Sequence, residues 1–165
     1  LQVDISIECE SWAQLADLEQ LVEEVLQTTA LESGKKLLED AEVSLLFCDD
    51  FRIRELNRDW RKLDKSTNVL SFPASNPERL ANAPVLGDIA IAFETVLRES
   101  KDENKSLSDH TFHMVTHGFL HLLGYDHETD KDAEEMENLE RRILARHGVD
   151  DPYGSSEPLN GKKMS

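Results

Sequence analysis

The sequence has little cysteine, no long hydrophobic run and few basic residues. Its two cysteines, Cys9 and Cys48, are too few for a disulfide framework, and we expect both to be reduced and buried. No run approaches the roughly 18 to 20 apolar residues of a membrane span, and we see no signal peptide at the start. These absences argue against a disulfide-stabilised secreted scaffold and a membrane protein, and they predict a cytoplasmic location.

The shortage of basic residues bears on nucleic-acid binding. The 18 Lys and Arg against 34 Asp and Glu give a net charge of −16, but charges are screened over roughly 8 Å at physiological salt, so local patches matter more than the total. Residues 52–65 carry a net charge of +3, whereas residues 128–140 carry −6. The basic segment is able to hold a phosphate chain, while tight binding to long DNA duplexes is not expected.

The hydrophobic pattern predicts one α+β domain. With 39% hydrophobic residues the chain has enough apolar material for a core. We predict a single domain over residues 1–153 and a flexible tail over 154–165. The predicted fold is a small mixed sheet of about four strands packed with about five or six helices.

Alternating and periodic apolar residues place these elements along the chain. The predicted strands cover residues 2–8, 43–47, 68–72 and 86–93. A capping box at Ser11 and Gln14 predicts the start of a first helix. Asp49 is predicted to cap a second helix, whose apolar face carries Phe51, Ile53 and Leu56. Asp130 is predicted to cap the last helix. A helix of about ten residues follows the fourth strand, another runs from about Ser106 to Leu123, and residues 74–84 are predicted to form a polar loop.

Three histidines form the most informative pattern in the chain. His117 and His121 are four residues apart, so an α-helix places both imidazoles on one face. Gly124 favours a helix end and a chain reversal that brings His127 back to them. Three converging imidazoles predict a metal site that leaves a coordination position open. A structural zinc site would usually fill four positions with Cys and His, and no cysteine is nearby, so a catalytic metal is favoured.

The spacing also resembles the metzincin protease signature H-E-x-x-H-x-x-G-x-x-H, with one departure. The glutamate that acts as general base in those proteases is replaced by Gly118. Because glycine is unable to accept a proton from water, peptide hydrolysis by that mechanism is disfavoured.

Three stretches together resemble the YbeY family of bacterial metal-dependent endoribonucleases. They are residues 57–73, Gly87-Asp88-Ile89, and the motif H-G-x-L-H-L-x-G-Y-D-H at 117–127. The resemblance extends over roughly residues 43–153. It implies a mixed four-stranded sheet with a metal at the base of a cleft, and a single-strand-specific endoribonuclease that acts on ribosomal RNA, particularly at the 3′ end of the small-subunit RNA, and in ribosome quality control.

The resemblance also implies site residues. His117, His121 and His127 are implied as metal ligands and Arg61 as the functional arginine, so Arg61 and His117 are the residues expected to act in catalysis. On chemical grounds a trishistidine site accepts zinc, nickel or cobalt, and we expect zinc. An arginine beside such a metal would stabilise the charge that develops on a phosphodiester.

Several residues leave alternatives open. His113 lies one turn before His117 and either lines the pocket or is a partly exposed helix residue. Asp126 either orients an imidazole or forms a turn, and Trp60 either stacks on a base or packs at the edge of the core. His110 and His147 are expected at the surface or at a helix cap.

Three classes of function follow from these patterns. The leading one is a metal-dependent endoribonuclease that acts on single-stranded RNA. The second is a metallohydrolase of another phosphoester or amide, and the third a ribosome-assembly binding module with a structural metal. The acidic segment 128–140 is typical of a solvated helix face. The weaker alternative is that it binds a protein partner with a basic surface, such as a ribosomal protein.

Overall fold

The fold is described by a computed structural model that covers residues 1–154. The predicted tail at 154–165 lies outside these residues except for Gly154. The strands are β1 (Gln2–Ile7), β2 (Glu42–Cys48), β3 (Val69–Pro73) and β4 (Val85–Ala92). The helices are α1 (Leu18–Ser33), α2 (Asp50–Arg61), α3 (Phe93–Asp102), α4 (Leu107–Leu122) and α5 (Asp130–Ala145), with short 3-10 helices at Glu10–Gln14 and Pro77–Asn82.

The four strands form one mixed sheet in the order β1-β2-β4-β3. β1, β2 and β4 are parallel, and β3 pairs antiparallel with β4 at one edge, where Ser71 lies opposite Ile89 and Phe72 opposite Asp88. Because successive side chains of a strand point to opposite faces, Ser71 and Phe72 lie on opposite sides of the sheet. The predicted α+β class, the mixed sheet and its four strands are confirmed.

Helix α4 is the central helix of the fold. It contacts β3 and β4 on one side and α1, α3 and α5 on the others, so most of its side chains are buried. Ser106 caps its N-terminus by accepting a hydrogen bond from the backbone N–H of Asp109 at 3.0 Å. Helix α2 packs on the opposite face of the sheet, where Ile53 joins a small apolar cluster with Leu70 and Ala90.

The backbone of α4 approaches the sheet closely at Gly118. A Cβ atom at this position would lie 2.9 Å from Cγ2 of Ile89 and 3.2 Å from both Oγ of Ser71 and Cγ2 of Val69. Ser71 Oγ instead donates a 2.8 Å hydrogen bond to the carbonyl of Gly118. The glycine that replaces the glutamate of the protease signature therefore fixes the distance between α4 and the edge strand.

The first helix begins later than predicted. Residues 10–14 form a 3-10 helix with no side-chain cap, and α1 begins only at Leu18, after Asp17 adopts a left-handed φ of 58°. A residue with positive φ interrupts an α-helix, so the capping-box prediction at Ser11 and Gln14 was wrong.

Three other local predictions also need correction. Thr129, rather than Asp130, caps α5, because its side chain accepts from the backbone N–H of Asp132. Phe51 is 72% exposed and does not share the apolar face of α2. The predicted polar loop at 74–84 contains the second 3-10 helix, which buries Leu80 in the core.

Within the part of the chain that the structure describes, no helix combines the length and apolar character needed to cross a membrane. Both cysteines are free thiols, and Cys48 is buried while Cys9 is partly exposed.

Candidate metal centre

The three histidines of the motif come together at the C-terminal end of α4. His117 and His121 occupy the same face of the helix one turn apart, and His127 follows the turn after it. One ring nitrogen of each residue lies within 4.8 Å of the others. The rings of His117 and His127 are stacked with centroids 5.0 Å apart, and His121 meets His127 edge-on at 5.2 Å. The structure thus assembles the predicted trio.

A glycine turn brings His127 back to the helix. Gly124 has a φ of 100°, which favours glycine, and the backbone N–H of Tyr125 donates to the carbonyl of Leu120 at 3.1 Å. This closure returns the carbonyl of Tyr125 to within 2.8 Å of Nδ1 of His121. The turn therefore both reverses the chain and fixes the orientation of one imidazole.

A buried carboxylate fixes a second imidazole. Glu140 on α5 is fully buried, and its Oε2 lies 2.8 Å from Nδ1 of His117. Its Oε1 lies 2.8 Å from Nε2 of His113 and also accepts a hydrogen bond from the hydroxyl of Tyr153. Glu140 thus links α4, α5 and the chain after α5.

These hydrogen bonds determine which ring nitrogens are available to a metal. A carboxylate and a peptide carbonyl only accept, so Nδ1 carries the proton in both His117 and His121. In the neutral rings Nε2 then presents a lone pair, and the two Nε2 atoms lie 3.1 Å apart. Two lone pairs at this distance repel each other unless a cation neutralises them, and one zinc ion bound at about 2.0–2.1 Å from each nitrogen fits this spacing. The donor set fits a divalent metal.

The protonation of the site follows from burial and from its hydrogen bonds. Burial alone would raise the pKa of Glu140, but the hydrogen bonds from His113 and His117 outweigh it and lower the pKa to about 2. Burial, together with the nearby ring of His117, lowers the pKa of His121. An ionised Glu140 and a neutral His121 are the forms that a metal site requires.

His117 and His121 line a cleft of about 420 Å³ that Arg61 also lines. Arg61 is the last residue of α2, and its guanidinium donates through Nη2 to the carbonyl of Ser71 and lies 5.3 Å from the ring centroid of Phe72. Asp126 also lines this cleft, where its Oδ1 accepts from the backbone N–H of Glu128 at 3.1 Å. This contact favours the alternative in which Asp126 forms a turn.

Of the other histidines, His113 and His110 are buried, whereas His147 lies near the end of α5. His113 is buried and binds Glu140 rather than joining the trio. His110 is 3% exposed and lies 2.8 Å from Glu99, so the prediction of a surface position was wrong. His147 follows α5, with its Nε2 2.9 Å from the hydroxyl of Thr28.

His117 also belongs to a second compact group, with His113 and Glu140. Ligand atoms of His113, His117 and Glu140 also lie within 4.8 Å of one another. Both oxygens of the carboxylate already face imidazole nitrogens at 2.8 Å. We therefore interpret this group as the hydrogen-bonded support of His117 rather than as a separate metal site.

Glu140 was not predicted as a site residue, although the sequence carries a signal for it. Glu140 lies four residues after Met136 and three before Ile143, on the apolar stripe of α5. A lone acid on an otherwise buried stripe needs a partner, because an unpaired buried carboxylate is costly. The many neighbouring acids of this helix conceal that signal.

Comparisons with known proteins agree on one family. The model of the family described as "Endoribonuclease YbeY" matches residues 5–148. A relative named Endoribonuclease YbeY from Methylocella silvestris is 53% identical over 95% of this chain and 87% of its own length. One of the same name from Agrobacterium fabrum is 48% identical over 96% of this chain and 98% of its own.

A solved structure also shares the fold. The solution structure of a protein from Thermotoga maritima has a TM-score of 0.56 to this chain and 22% sequence identity, and the match covers 96% of this chain and all of the other.

Proposed function

Since this chain belongs to the YbeY endoribonuclease family, we propose that it cleaves single-stranded RNA at a metal held by His117, His121 and His127. The chain is accordingly a hydrolytic nuclease, an endoribonuclease of this family. Arg61 and His117 are the proposed catalytic residues. Arg61 would contact the RNA, and His117 would bind the metal.

The facing Nε2 atoms of His117 and His121, 3.1 Å apart, are the observation that carries the metal proposal. Three neutral imidazoles suit zinc, and nickel or cobalt with little geometric discrimination. When bound, such an ion would polarise a phosphoryl oxygen and lower the pKa of water towards neutrality. Glu140 and the carbonyl of Tyr125 keep the protons of the two rings on Nδ1, which leaves each Nε2 free for the metal.

Arg61 is the proposed electrostatic clamp. Its contacts with Ser71 and Phe72 hold the guanidinium beside the cleft that His117 and His121 also line. A guanidinium has five donors in a planar fork, so the remaining N–H groups are available to the non-bridging oxygens of a phosphodiester. Their charge stabilises the negative charge that grows in the transition state.

No carboxylate takes the position of a protease base. Gly118 occupies that place in the motif, and the nearby Glu140 is buried with its oxygens directed at His113 and His117. This arrangement supports phosphodiester cleavage over peptide hydrolysis.

The proposed substrate is ribosomal RNA, with the 3′ end of the small-subunit RNA as the processing site and a further role in ribosome quality control. A role in ribosome maturation implies a cytoplasmic location and proximity to ribosomal proteins. The basic surface of such proteins would complement the exposed acids of α5, such as Glu134 and Glu135. The net charge of −16 disfavours tight binding to long duplexes, so DNA is not proposed as a ligand.

Incubation of the purified chain with single-stranded RNA tests the function. We expect cleavage that is abolished by a chelator, restored by zinc and absent in His121→Ala. The histidine variant also detects contaminating ribonuclease, because a contaminant would cleave in both samples. Cutting of peptides or of other phosphoesters instead of RNA would favour a different metallohydrolase. Unfolding on chelation, with no turnover of any substrate, would favour a binding module with a structural metal.

The clamp is tested by Arg61→Ala. We expect the rate of RNA cleavage to fall by about 10²- to 10³-fold, as when one transition-state donor is removed, with the metal content unchanged. Arg58→Ala is the matched control, because Arg58 is exposed on the same helix and is paired with Asp59. Loss of metal from Arg61→Ala would show instead that the arginine supports the metal site.

A further inference from the structure

A second cleft lies on the face of the sheet opposite the metal centre. It measures about 370 Å³ and lies between α2 and the sheet, and the rings of Trp60 and Phe72 form part of its wall. Asp88 is the one charged residue among the described residues that line it. A mostly apolar cleft with aromatic walls and one hydrogen-bonding group has the character of a ligand site.

Trp60 is unusually exposed for its size. It is 72% exposed, although it lies beside this cleft and its indole would gain by burial. Of the two alternatives left by the sequence, packing at the core edge is therefore wrong. Trp12, the other tryptophan, is 1% exposed and packs edge-on against Phe47 and Phe93.

The edge strand β3 joins the two clefts. Ser71 lines the metal cleft, whereas its neighbour Phe72 lines the apolar one. Arg61 directly follows Trp60, lines the metal cleft, and contacts both the carbonyl of Ser71 and the ring of Phe72. A strand that leaves the metal centre across the outer edge of β3 would pass Arg61 and reach the aromatic rings.

Arg61 at this crossing is followed along the chain by two further cations. Within residues 1–154, Arg61, Lys62 and Lys65 form no salt bridge, whereas Arg54 and Arg58 on the same helix are paired with Asp64 and Asp59. Lys62 and Lys65 are exposed. Their charges are available to a polyanion, and this complementarity favours a phosphate-linked ligand over a purely apolar one.

We propose that Trp60 and Phe72 form a base-binding subsite for single-stranded RNA whose backbone crosses β3 beside Arg61. This inference rests on the proposed function and adds to it where the RNA lies. A base stacks on the indole, and Asp88 accepts from exocyclic amino groups. A paired base inside a duplex offers no free face, so the subsite selects single strands.

The fluorescence of Trp60 tests the subsite directly. Because Trp12 is buried, quenching by a short single-stranded RNA added to the chelator-treated chain, which does not cleave, reports on Trp60. We expect strong quenching, and much weaker quenching by an oligomer of the same length with abasic positions.

Variants measure the contribution to affinity. Trp60→Ala should weaken RNA binding by about 5- to 150-fold, as expected for one stacked base, whereas Trp60→Phe should retain most of the affinity. Phe51→Ala is the matched control, because Phe51 is also 72% exposed on α2 and is not among the residues that line the cleft, and we expect unchanged affinity.

The outcomes separate the subsite from the function. Unchanged affinity in Trp60→Ala, or equal binding of the abasic oligomer, would overturn the subsite and leave the cleft to a protein partner. RNA cleavage by the zinc-loaded chain would uphold the proposed function in that case. Quenching of Trp60 by RNA, with no zinc-dependent cleavage by the loaded chain, would instead overturn the function and uphold RNA binding.

Discussion

At the scale of single residues, the site depends on hydrogen bonds that fix a tautomer. The three histidines are close in sequence, so a helix period and a glycine predict their meeting. Glu140 is 23 residues from His117, and only the packing of α5 on α4 brings them to 2.8 Å. Such a contact depends on tertiary structure, which explains why local patterns predicted that the three histidines meet and did not reveal Glu140.

Replacing Glu140 by Gln should weaken metal binding by about 10- to 100-fold, the usual effect of removing an outer-shell partner of a ligand. The amide has one accepting oxygen and one donating nitrogen, whereas His113 and His117 each direct a ring nitrogen at Glu140. One imidazole must therefore lose its acceptor. Zinc affinity measured by chelator competition checks this.

Glu134→Gln serves as the control for that measurement, because Glu134 is exposed on the same helix. If Glu140→Gln folds normally and retains the zinc affinity of the unchanged chain, Glu140 does not orient His117.

At the scale of elements, the fold follows the sequence where the signal is local. The strand runs, the Asp49 cap, the start of α4 near Ser106 and the ten residues of α3 were predicted because each depends on neighbours along the chain. The strand order β1-β2-β4-β3 depends on pairings between distant segments, which no periodicity encodes. The predicted start of α1 was wrong, because the left-handed turn at Asp17 leaves no signal in the hydrophobic spacing.

Gly118→Ala should destabilise the junction of α4 with the sheet. Alanine favours a helix over glycine by about 1 kcal/mol, but the new Cβ would lie 2.9 Å from Cγ2 of Ile89. Overpacking of this kind costs about 1–3 kcal/mol, so we expect a net loss of up to about 2 kcal/mol in the free energy of unfolding. Urea denaturation measures it, and zinc affinity should also fall because His117 is the adjacent residue.

A double-mutant cycle identifies the cause of that loss. Ile89→Ala removes Cγ2, so combining it with Gly118→Ala should cost less than the sum of the two single changes. Ile89→Val keeps Cγ2 and should give no such relief. Additive effects in both backgrounds would contradict a steric origin.

At the scale of the whole molecule, charge is distributed unevenly. The net charge of −16 coexists with unpaired cations at the end of α2, beside the metal cleft and the apolar cleft, while α5 is acidic on its exposed face. Like charges repel, so the acidic surface disfavours a polyanion, whereas the proposed RNA path over β3 passes the cation Arg61. The sequence already shows one basic and one acidic segment, and the fold adds that Arg61 of the basic segment lines the metal cleft.

Acidification should reduce the stability of the metal-free chain in two separate pH windows. Burial lowers the pKa of His110 below its ordinary 6.5, against the opposing hydrogen bond to Glu99. The unfolded chain therefore takes up a proton first, and stability falls as the pH drops below 6.5. The pKa of Glu140 is about 2 instead of 4.5, so the stability that it contributes above pH 4.5 is lost between 4.5 and 2. Urea denaturation across these windows measures both losses.

The net charge makes stability depend on pH in the opposite direction, and comparison of the unchanged chain with variants removes this contribution. Self-repulsion weakens as the pH approaches the isoelectric point near 4.7, which stabilises the compact state smoothly in every variant. The difference between the unchanged chain and a variant therefore isolates one group. His110→Gln should reduce the loss in the upper window, to which the lowered pKa of His121 also contributes, and leave the lower window, whereas Glu140→Gln should flatten the lower one. If the pH profile of stability in both variants is the same as in the unchanged chain, neither group couples protonation to folding. Only a pKa that differs between the folded and unfolded states makes stability depend on pH.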